Sequence, residues 1–322
     1  MAQRLLDRPD VRPRVPDAPT GGRGGGARFH RVLRLVLVLS LTGPLAVAGQ
    51  PRPIPAILNY PTNVRSAGLA GAGVAMTGYA GSVFNNPSAL APIRRLSVEA
   101  SLARLPDRST YTMGAAAVRV GEFNVGGGYQ YLRFPSGHPI TDNVTWAATG
   151  VYRRGGIALG ASAKYVSLED SAGVVTRSMT SDVGVTVALF DIAALAVSVD
   201  NLGGGSISNG GLRLPRSWHL GFSFNLLDTY SNGRLLATVE TVWTDQRRHR
   251  TVVGLEAGAV FAGVGVVARI GHGTPPGDLD RTLSKTAYGA SVVLGQVRVD
   301  YAYQERSLLG HQVHLFGIRW TP

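Results

Sequence analysis

The feature that most constrains this chain is a series of about fourteen segments, each roughly ten residues long, in which apolar and polar residues alternate. In the clearest segment, residues 297–304, Val and Tyr occupy the odd positions, whereas the even positions hold Arg298, Asp300, Ala302 and Gln304. Because successive side chains of a β-strand point to opposite faces, one face is apolar and the other is polar. A tilted strand that crosses a bilayer needs about 9–11 residues. The pattern therefore predicts membrane-spanning strands with a lipid face and a lumen face.

The connectors between these segments alternate in length. The short connectors are predicted at residues 121–122, 153–156, 191, 262–263 and 295–296. The long connectors, rich in Gly, Pro, Ser or Asp, are predicted at residues 135–142, 169–177, 202–214 and 273–284. Outer-membrane barrels have short periplasmic turns and longer external loops. The sequence thus predicts an all-β, antiparallel transmembrane barrel of about fourteen strands with both ends on one side, although the connector at residues 227–234 is too long for the short series.

A soluble sandwich or propeller is the alternative, since these folds also contain many short strands. The solvent face of a soluble sheet carries many Lys and Glu residues, but only 16% of this chain is charged and 42 of its 322 residues are Gly. The polar faces of the segments carry Gly, Ala and Ser with occasional charges, which is typical of a narrow, filled lumen. This composition favours the membrane barrel.

The first residues have the features of an export signal. Arg28, Arg31 and Arg34 precede an apolar run at residues 35–41, and a small-x-small pattern follows and ends at Ala48. The run is too short to span a bilayer. We therefore expect residues 1–48 to be a signal peptide with an extended Arg-, Pro- and Gly-rich start, cleaved near Ala48 on the way to the outer membrane.

The formal charge of +12 does not indicate a nucleic-acid partner. The first 48 residues contain eight Arg and three Asp, which accounts for +5, and the remaining +7 is scattered through turns. Nucleic-acid binding requires a basic patch or stripe, and none is found. Basic residues at the barrel ends are instead expected to contact outer-membrane lipid and lipopolysaccharide phosphates.

Residues 49–95 lie between the signal and the first strand, and residues 96–322 are predicted to form the barrel. The segment is Pro-rich at first and then rich in Gly and Ala. A nucleotide-binding glycine loop would follow a strand and open a helix, whereas this one follows prolines. Small residues allow close backbone approach, so we predict a plug, or hatch, inside the barrel. The predicted plug residues are Gly68, Gly71, Gly73, Asn86 and Pro87.

The segment resembles a known family of barrels at this point. An Ala/Gly-rich stretch that leads into Asn86-Pro87-Ser88, just before the first strand, is similar to the hatch of FadL-type fatty-acid transporters and of the related PorV/PorQ outer-membrane barrels. Residues 199–204 with 214–216, residues 299–303 and the His-containing last strand at 311–320 are more similar to PorV/PorQ. The resemblance implies a fourteen-stranded barrel with an N-terminal plug. The chain departs from the pattern at Ser88, where Ala is usual, and at its end, which lacks a terminal aromatic residue.

Nothing in the sequence indicates catalysis, a metal or a cofactor. His311 and His314 are three residues apart and fall on opposite faces of a strand, which disfavours a shared metal. No Gly-x-Ser-x-Gly motif occurs at a strand-to-helix elbow.

The lumen faces of the predicted strands do carry charges. These are Glu99, Lys164, Asp182, Asp200, Glu240, Glu256, Arg269, Arg298 and Asp300. Since unpaired buried charge is costly, we expect them to pair with one another or with the plug, the alternative being a polar path for substrate.

Three functions are compatible with these predictions. The first is a PorV/PorQ-type barrel in protein secretion or surface attachment, whose partners would be secreted cargo or secretion-system proteins. The second is FadL-like uptake of hydrophobic small molecules such as long-chain fatty acids, past the Asn86-Pro87 hatch. The third is a general porin, which a plug would occlude. Fold alone does not decide between the first two.

Overall fold

The computed structural model describes residues 55–190, 192–206, 212, 214–227, 233–244, 249–274, 286–305 and 312–322. The predicted signal peptide, the start of the predicted hatch and the short connector at residue 191 lie outside this range. Residues 207–211 and 213 of the predicted loop at 202–214, and residues 275–284 of the predicted loop at 273–284, also lie outside it.

Fourteen strands follow one another along the chain. They are β1 (Leu96–Arg104), β2 (Thr110–Val120), β3 (Phe123–Arg133), β4 (Ile140–Arg154), β5 (Ile157–Asp170), β6 (Val175–Leu189), β7 (Ala193–Ser206), β8 (Ser217–Leu227), β9 (Gly233–Thr244), β10 (His249–Phe261), β11 (Val264–Gly273), β12 (Thr286–Leu294), β13 (Val297–Gln304) and β14 (Val313–Trp320). Each strand pairs antiparallel with its neighbour in sequence. The first and last strands also pair, with Val98 opposite Trp320, so the sheet closes into a barrel. The predicted fold class is confirmed.

The two faces of the barrel wall follow the alternation in the sequence. On β13, Arg298 and Asp300 point inward and are buried, whereas Val299 is 49% exposed on the outer surface. The outer surface of the other strands likewise exposes large apolar side chains such as Leu102, Phe123 and Leu159. An apolar exterior around a polar interior is the arrangement that a lipid bilayer requires of a closed barrel.

The connectors alternate in length except between β8 and β9, whose connector is longer than the one that follows it. Three of the predicted loops are shorter than expected, and the one at residues 202–214 is shortened because β7 continues to Ser206. Gly121 and Glu122 alone separate β2 from β3, as predicted. The predicted loop at residues 169–177 reduces to residues 171–174, because β5 and β6 pair up to the Glu169–Val175 rung. Asp170 closes this turn by accepting hydrogen bonds from the Ala172 and Val174 amides, each 2.9 Å long. The loop at residues 135–142 is shortened in the same way by the early start of β4.

The described part of the hatch, residues 55–95, is named the plug here, and it contains only short elements. Helix α1 (Val64–Gly68) is accompanied by 3-10 turns at Ala56–Asn59, Ala80–Phe84 and Pro87–Leu90. The Asn63 side chain caps α1 by accepting a 2.7 Å hydrogen bond from the Ser66 amide. Frequent Gly and Pro residues prevent longer helices. Among the described residues, no helix has the length and apolar character needed to cross a membrane.

The plug is buried inside the barrel. Its apolar side chains, among them Ile57, Val64 and Leu90, form one core with the wall residues Tyr111 and Leu315. A second apolar cluster joins the plug segment around residues 69–76 to β9, β10 and β12. The apolar residues of the plug therefore share their core with residues of the barrel wall.

Candidate functional site

The interface between plug and wall depends on glycine residues of the strands. A Cβ atom on Gly160 of β5 would lie 2.5 Å from the Ser88 nitrogen and 2.6 Å from the Pro87 carbonyl carbon. A Cβ atom on Gly128 of β3 would lie 2.5 Å from the Phe84 ring. These Cβ distances are shorter than van der Waals contact allows, so a side chain larger than that of glycine would clash with the plug at these positions. The wall glycines thus shape the lumen to the backbone of the plug.

Gly68, Gly71 and Gly73 all lie in the plug, but for different physical reasons. Gly68 packs directly on the wall backbone, since a Cβ atom there would be 2.9 Å from the Cα atom of Gly289. A Cβ atom on Gly73 would overlap the Asn85 side-chain amide. Gly71 has a φ of +99°, and a Cβ atom there would make only an ordinary van der Waals contact, 3.6 Å from Nη1 of Arg250. Close packing, which the sequence led us to expect at all three, does not apply to Gly71, where the positive φ selects glycine.

Asn86 and Pro87 form a turn that is held by the Asn86 side chain. Its Nδ2 atom donates a 2.6 Å hydrogen bond to the Val74 carbonyl, and its Oδ1 atom accepts one of 3.1 Å from the Ser88 amide. The Ser88 hydroxyl lies 2.7 Å from the Thr186 hydroxyl on β6. The side chain therefore ties two distant parts of the plug together, and Ser88 ties this turn to the wall.

An ion-pair cluster fixes α1 to the wall. The Arg65 guanidinium donates to both oxygens of Glu256 on β10, at 2.7 and 2.6 Å. Arg269 on β11 donates to the same carboxylate at 2.7 Å. Burial by itself lowers the pKa of Arg65, but the Glu256 carboxylate raises it above its ordinary value, so Arg65 stays charged. The bidentate geometry is the strongest that an arginine forms with a carboxylate.

The cluster continues along the wall to β13. Arg269 lies 3.4 Å from Asp300, and Arg298 donates to the same carboxylate at 2.8 Å. Ser291 of β12 donates a short hydrogen bond to Asp300 and accepts one of 3.0 Å from Arg298. Three arginines thus share two carboxylates inside the barrel, and no charge of this cluster is isolated.

A second charged cluster extends over strands β5 to β9. Lys164 on β5 forms a 2.8 Å ion pair with Asp182 on β6. The two ring nitrogens of His219 on β8 face different carboxylates, Asp200 at 3.4 Å and Glu240 at 2.8 Å. Glu240 also accepts hydrogen bonds from the plug amides of Gly73 and Val74, at 2.6 and 2.9 Å. This cluster fixes the plug through backbone amides instead of through a side-chain charge.

All nine predicted lumen charges are buried, and they occupy three places. Glu256, Arg269, Arg298 and Asp300 form the first cluster, and Lys164, Asp182, Asp200 and Glu240 belong to the second. Glu99 stands apart and accepts a 3.0 Å hydrogen bond from the Gly81 amide of the plug. Arg65 and His219 were missed as members of these clusters. One signal did exist, because Arg65 is the only charged residue between positions 55 and 93.

A cavity of about 420 Å³ lies between the plug and the short-turn end of the barrel. Its wall comes from the ends of β4 to β9 that lead into short turns, and its floor comes from the plug, including Met76 and Ser88. Met76, Ile192 and Leu236 are among the apolar residues that line it. The volume lies within the range of about 300–1,000 Å³ that is usual for small-molecule sites.

The described residues do not arrange these side chains for metal binding. Within them, no group of three or more His, Asp or Glu residues is positioned to hold a metal ion. Asp200 and Glu240 approach different nitrogens of His219, so these three side chains do not converge on one point. The clusters are arranged for holding the plug.

Known structures share this architecture at low sequence identity. The toluene transporter TbuX of Ralstonia pickettii has a TM-score of 0.55 and 13% identity, and the match covers 82% of this chain and 99% of that chain. The toluene transporter TodX of Pseudomonas putida has a TM-score of 0.56 and 12% identity, with 81% and 97% covered. The monoaromatic hydrocarbon channel CymD has a TM-score of 0.57 and 12% identity, with 84% and 99% covered.

At these identities the similarity shows the fold. This chain therefore shares the barrel fold of the three neighbours, which are named as transporters or as a channel. No protein-family model matches the sequence. No curated protein matches it either.

Proposed function

We propose that this protein is an outer-membrane transport barrel that admits hydrophobic small molecules past its plug. The observation that carries the proposal is a lumen filled by a plug that is held by polar clusters and packed against apolar wall residues. A permanently open, water-filled pore would pass polar solutes, whereas the described plug residues fill space inside this barrel and pack against its wall. Passage of a hydrophobic molecule requires a local shift of the plug.

The fold supports the same proposal. The neighbours with the same architecture are named as transporters of toluene or as a channel for monoaromatic hydrocarbons. We extend the substrate class, hydrophobic small molecules, to this chain and leave open whether the molecules are aromatic hydrocarbons or long-chain fatty acids. The cavity between the plug and the short-turn end has a partly apolar lining, and such a molecule would bind there.

The secretion role of PorV/PorQ barrels is the other function that the sequence suggested. It requires a surface that binds cargo or secretion proteins. The architecture is shared by both roles and does not exclude it. The similarity to transport barrels favours uptake, and a general porin is disfavoured by the plug.

Uptake by intact cells tests the proposal. Cells without their own transporters of this type would express either the parent chain or no barrel, and uptake of labelled toluene, labelled oleate and a labelled hydrophilic sugar would be compared. We expect the parent chain to accelerate entry of at least one hydrophobic compound and to leave sugar entry unchanged. Sugar entry that rises as much as toluene entry would indicate a porin, and no acceleration of either hydrophobic compound would contradict the proposal.

A further inference from the structure

The charges of the cluster that fixes α1 to the wall do not balance. Arg65, Arg269 and Arg298 supply three positive charges, whereas Glu256 and Asp300 supply two negative charges. All five side chains are at most 9% exposed. Because a buried charge without compensation is costly, the one excess positive charge requires an explanation.

The neighbouring charged residues do not remove this excess. Glu99 interacts electrostatically with Arg319 and Arg298, but Glu99 and Arg319 add one charge of each sign. Arg234 interacts in the same way with Glu256 and adds a further positive charge, from an exposed position where salt screens it. The group as a whole therefore remains positive.

Arg269 has hydrogen-bond donors that the cluster does not use. Its Nε atom donates to Glu256, whereas its Nη2 atom approaches Asp300 only to 3.4 Å. Both Nη atoms are buried, and neither donates a hydrogen bond to any residue that the structure describes. A guanidinium presents five N–H groups in a planar fork, so the end of the fork formed by the two Nη atoms can bind an acceptor.

The plug covers the wall at this place. Arg269 lies opposite Gly289 in the pairing of β11 with β12. Helix α1 packs on the same glycine, since a Cβ atom on Gly68 would be 2.9 Å from the Gly289 Cα atom. The Arg269 side chain is 0% exposed. An acceptor bound to it therefore meets solvent only when α1 moves away from the wall.

The surroundings of Arg269 select a small anion with one charge. One excess positive charge is neutralised by a monovalent anion and over-neutralised by sulfate or hydrogen phosphate. The carboxylates of Glu256 and Asp300 already contact the guanidinium, and they would repel the additional oxygen atoms of a polyatomic anion. A single-atom anion accepts from both Nη atoms without bringing further negative atoms close to these carboxylates.

We infer that Arg269 binds a chloride ion through its two Nη atoms, and that this ion neutralises the cluster beneath α1 and holds the plug against the wall. The inference concerns how the plug is retained. It goes beyond the proposed function and does not depend on which molecules the barrel transports.

Hydrogen–deuterium exchange of the purified full chain in detergent tests the inference. Exchange of the amides of residues 64–72 would be measured in sodium chloride, sodium bromide and sodium gluconate at equal ionic strength, since gluconate is too large for the site. An anion that binds only when α1 is seated slows exchange by the factor one plus its concentration over its dissociation constant. We expect about tenfold slower exchange when chloride is about tenfold above that constant, a similar effect of bromide, and none of gluconate.

Two variants identify the residue responsible. R269Q leaves Arg65 with Glu256 and Arg298 with Asp300, so its cluster is balanced and the difference between chloride and gluconate should disappear. K164Q/D182N is the matched control, because it removes a buried 2.8 Å ion pair from the second cluster without changing the net charge. It should keep the parental difference. Heat-modifiable gel migration verifies that both variants have assembled as barrels.

Crystals of the parent chain grown in sodium bromide provide a second measurement that requires no variant. We expect an anomalous-scattering peak in contact with the Nη atoms of Arg269. Equal exchange of the parent in chloride and gluconate, an undiminished chloride effect in assembled R269Q, loss of the effect in K164Q/D182N, or crystals without bromide at Arg269 would overturn the inference. If R269Q does not assemble, the bromide position and the parent's exchange decide.

Discussion

At the scale of single residues, Arg65 carries the most direct link between plug and wall. Its guanidinium satisfies both oxygens of Glu256, and Arg269 reinforces the same carboxylate from the neighbouring strand. The guanidinium also stacks over the Tyr79 ring in a cation–π contact, with its central carbon 4.5 Å from the ring centroid. Such a residue is buried at considerable desolvation cost, and its removal leaves the facing carboxylate only partly compensated.

Replacing Arg65 by Gln should therefore destabilise the folded protein. Breaking a buried ion pair from one side costs about 3–5 kcal/mol, and the remaining Arg269 keeps the loss near the lower end of that range. The temperature at which heat-modifiable migration changes should fall relative to the parent. R65Q/E256Q should recover part of the loss, because the stranded carboxylate is then gone. R104Q, at an exposed position on β1, is the control and should migrate like the parent; an equal fall in R65Q and R104Q would contradict this role.

At the scale of elements, the strands and the plug meet through backbone contacts that glycine makes possible. The Pro87–Leu90 turn packs on β5 where Gly160 leaves room, and α1 packs on β12 where Gly289 leaves room. Alternation in the sequence identified the inward faces of these strands correctly. It did not indicate which inward glycine meets which plug residue, since those contacts join segments far apart in the chain.

Gly160→Ala should loosen the plug without preventing barrel assembly. The added methyl group overlaps the backbone at Pro87 and Ser88, and overpacking of this kind costs about 1–3 kcal/mol. Hydrogen–deuterium exchange measured by mass spectrometry should show faster exchange for amides of residues 82–91. Gly150→Ala, on the neighbouring strand β4 with open space at its Cβ position, is the matched control. Equal protection of those amides in the two variants would argue against the described packing.

The alternation of connectors predicts the orientation of the barrel. The chain has no cysteine, so single cysteines are introduced without interference. Ala172 lies in the β5–β6 turn and Glu122 in the β2–β3 turn, at opposite ends of the strands, and both are exposed. In intact cells, a membrane-impermeant maleimide should label A172C and should label E122C only after the outer membrane is opened. Labelling of E122C but not A172C in intact cells would show the reverse orientation.

At the scale of the whole molecule, the sequence predicts the architecture better than it predicts the site. A two-residue period over many segments is sufficient to give a closed barrel and to place nine charges inside it. The partners of those charges depend on closure of the barrel around the plug. Arg65 and Glu256 are 191 residues apart, and no local pattern encodes their contact. His219 likewise joins Asp200 to Glu240 only because β7, β8 and β9 are neighbours in the sheet.

The barrel and its plug form one packed unit. The wall lumen is lined by Gly, Ala and Ser at the contacts with the plug, so removal of the plug leaves unfilled space that water enters. Strand pairing is continuous around the barrel and does not pass through the plug. A barrel without the plug should therefore still assemble, and its lumen should conduct ions.

Planar-bilayer conductance of a variant that lacks residues 67–85, compared with that of the parent chain, tests whether the plug closes the lumen. Heat-modifiable migration first establishes that the shortened chain has assembled as a barrel. We expect a stable open conductance for the deletion variant and little conductance for the parent. An assembled deletion variant that conducts no more than the parent would show that this segment does not close the lumen, and the proposed passage of hydrophobic molecules past a movable plug would then be wrong.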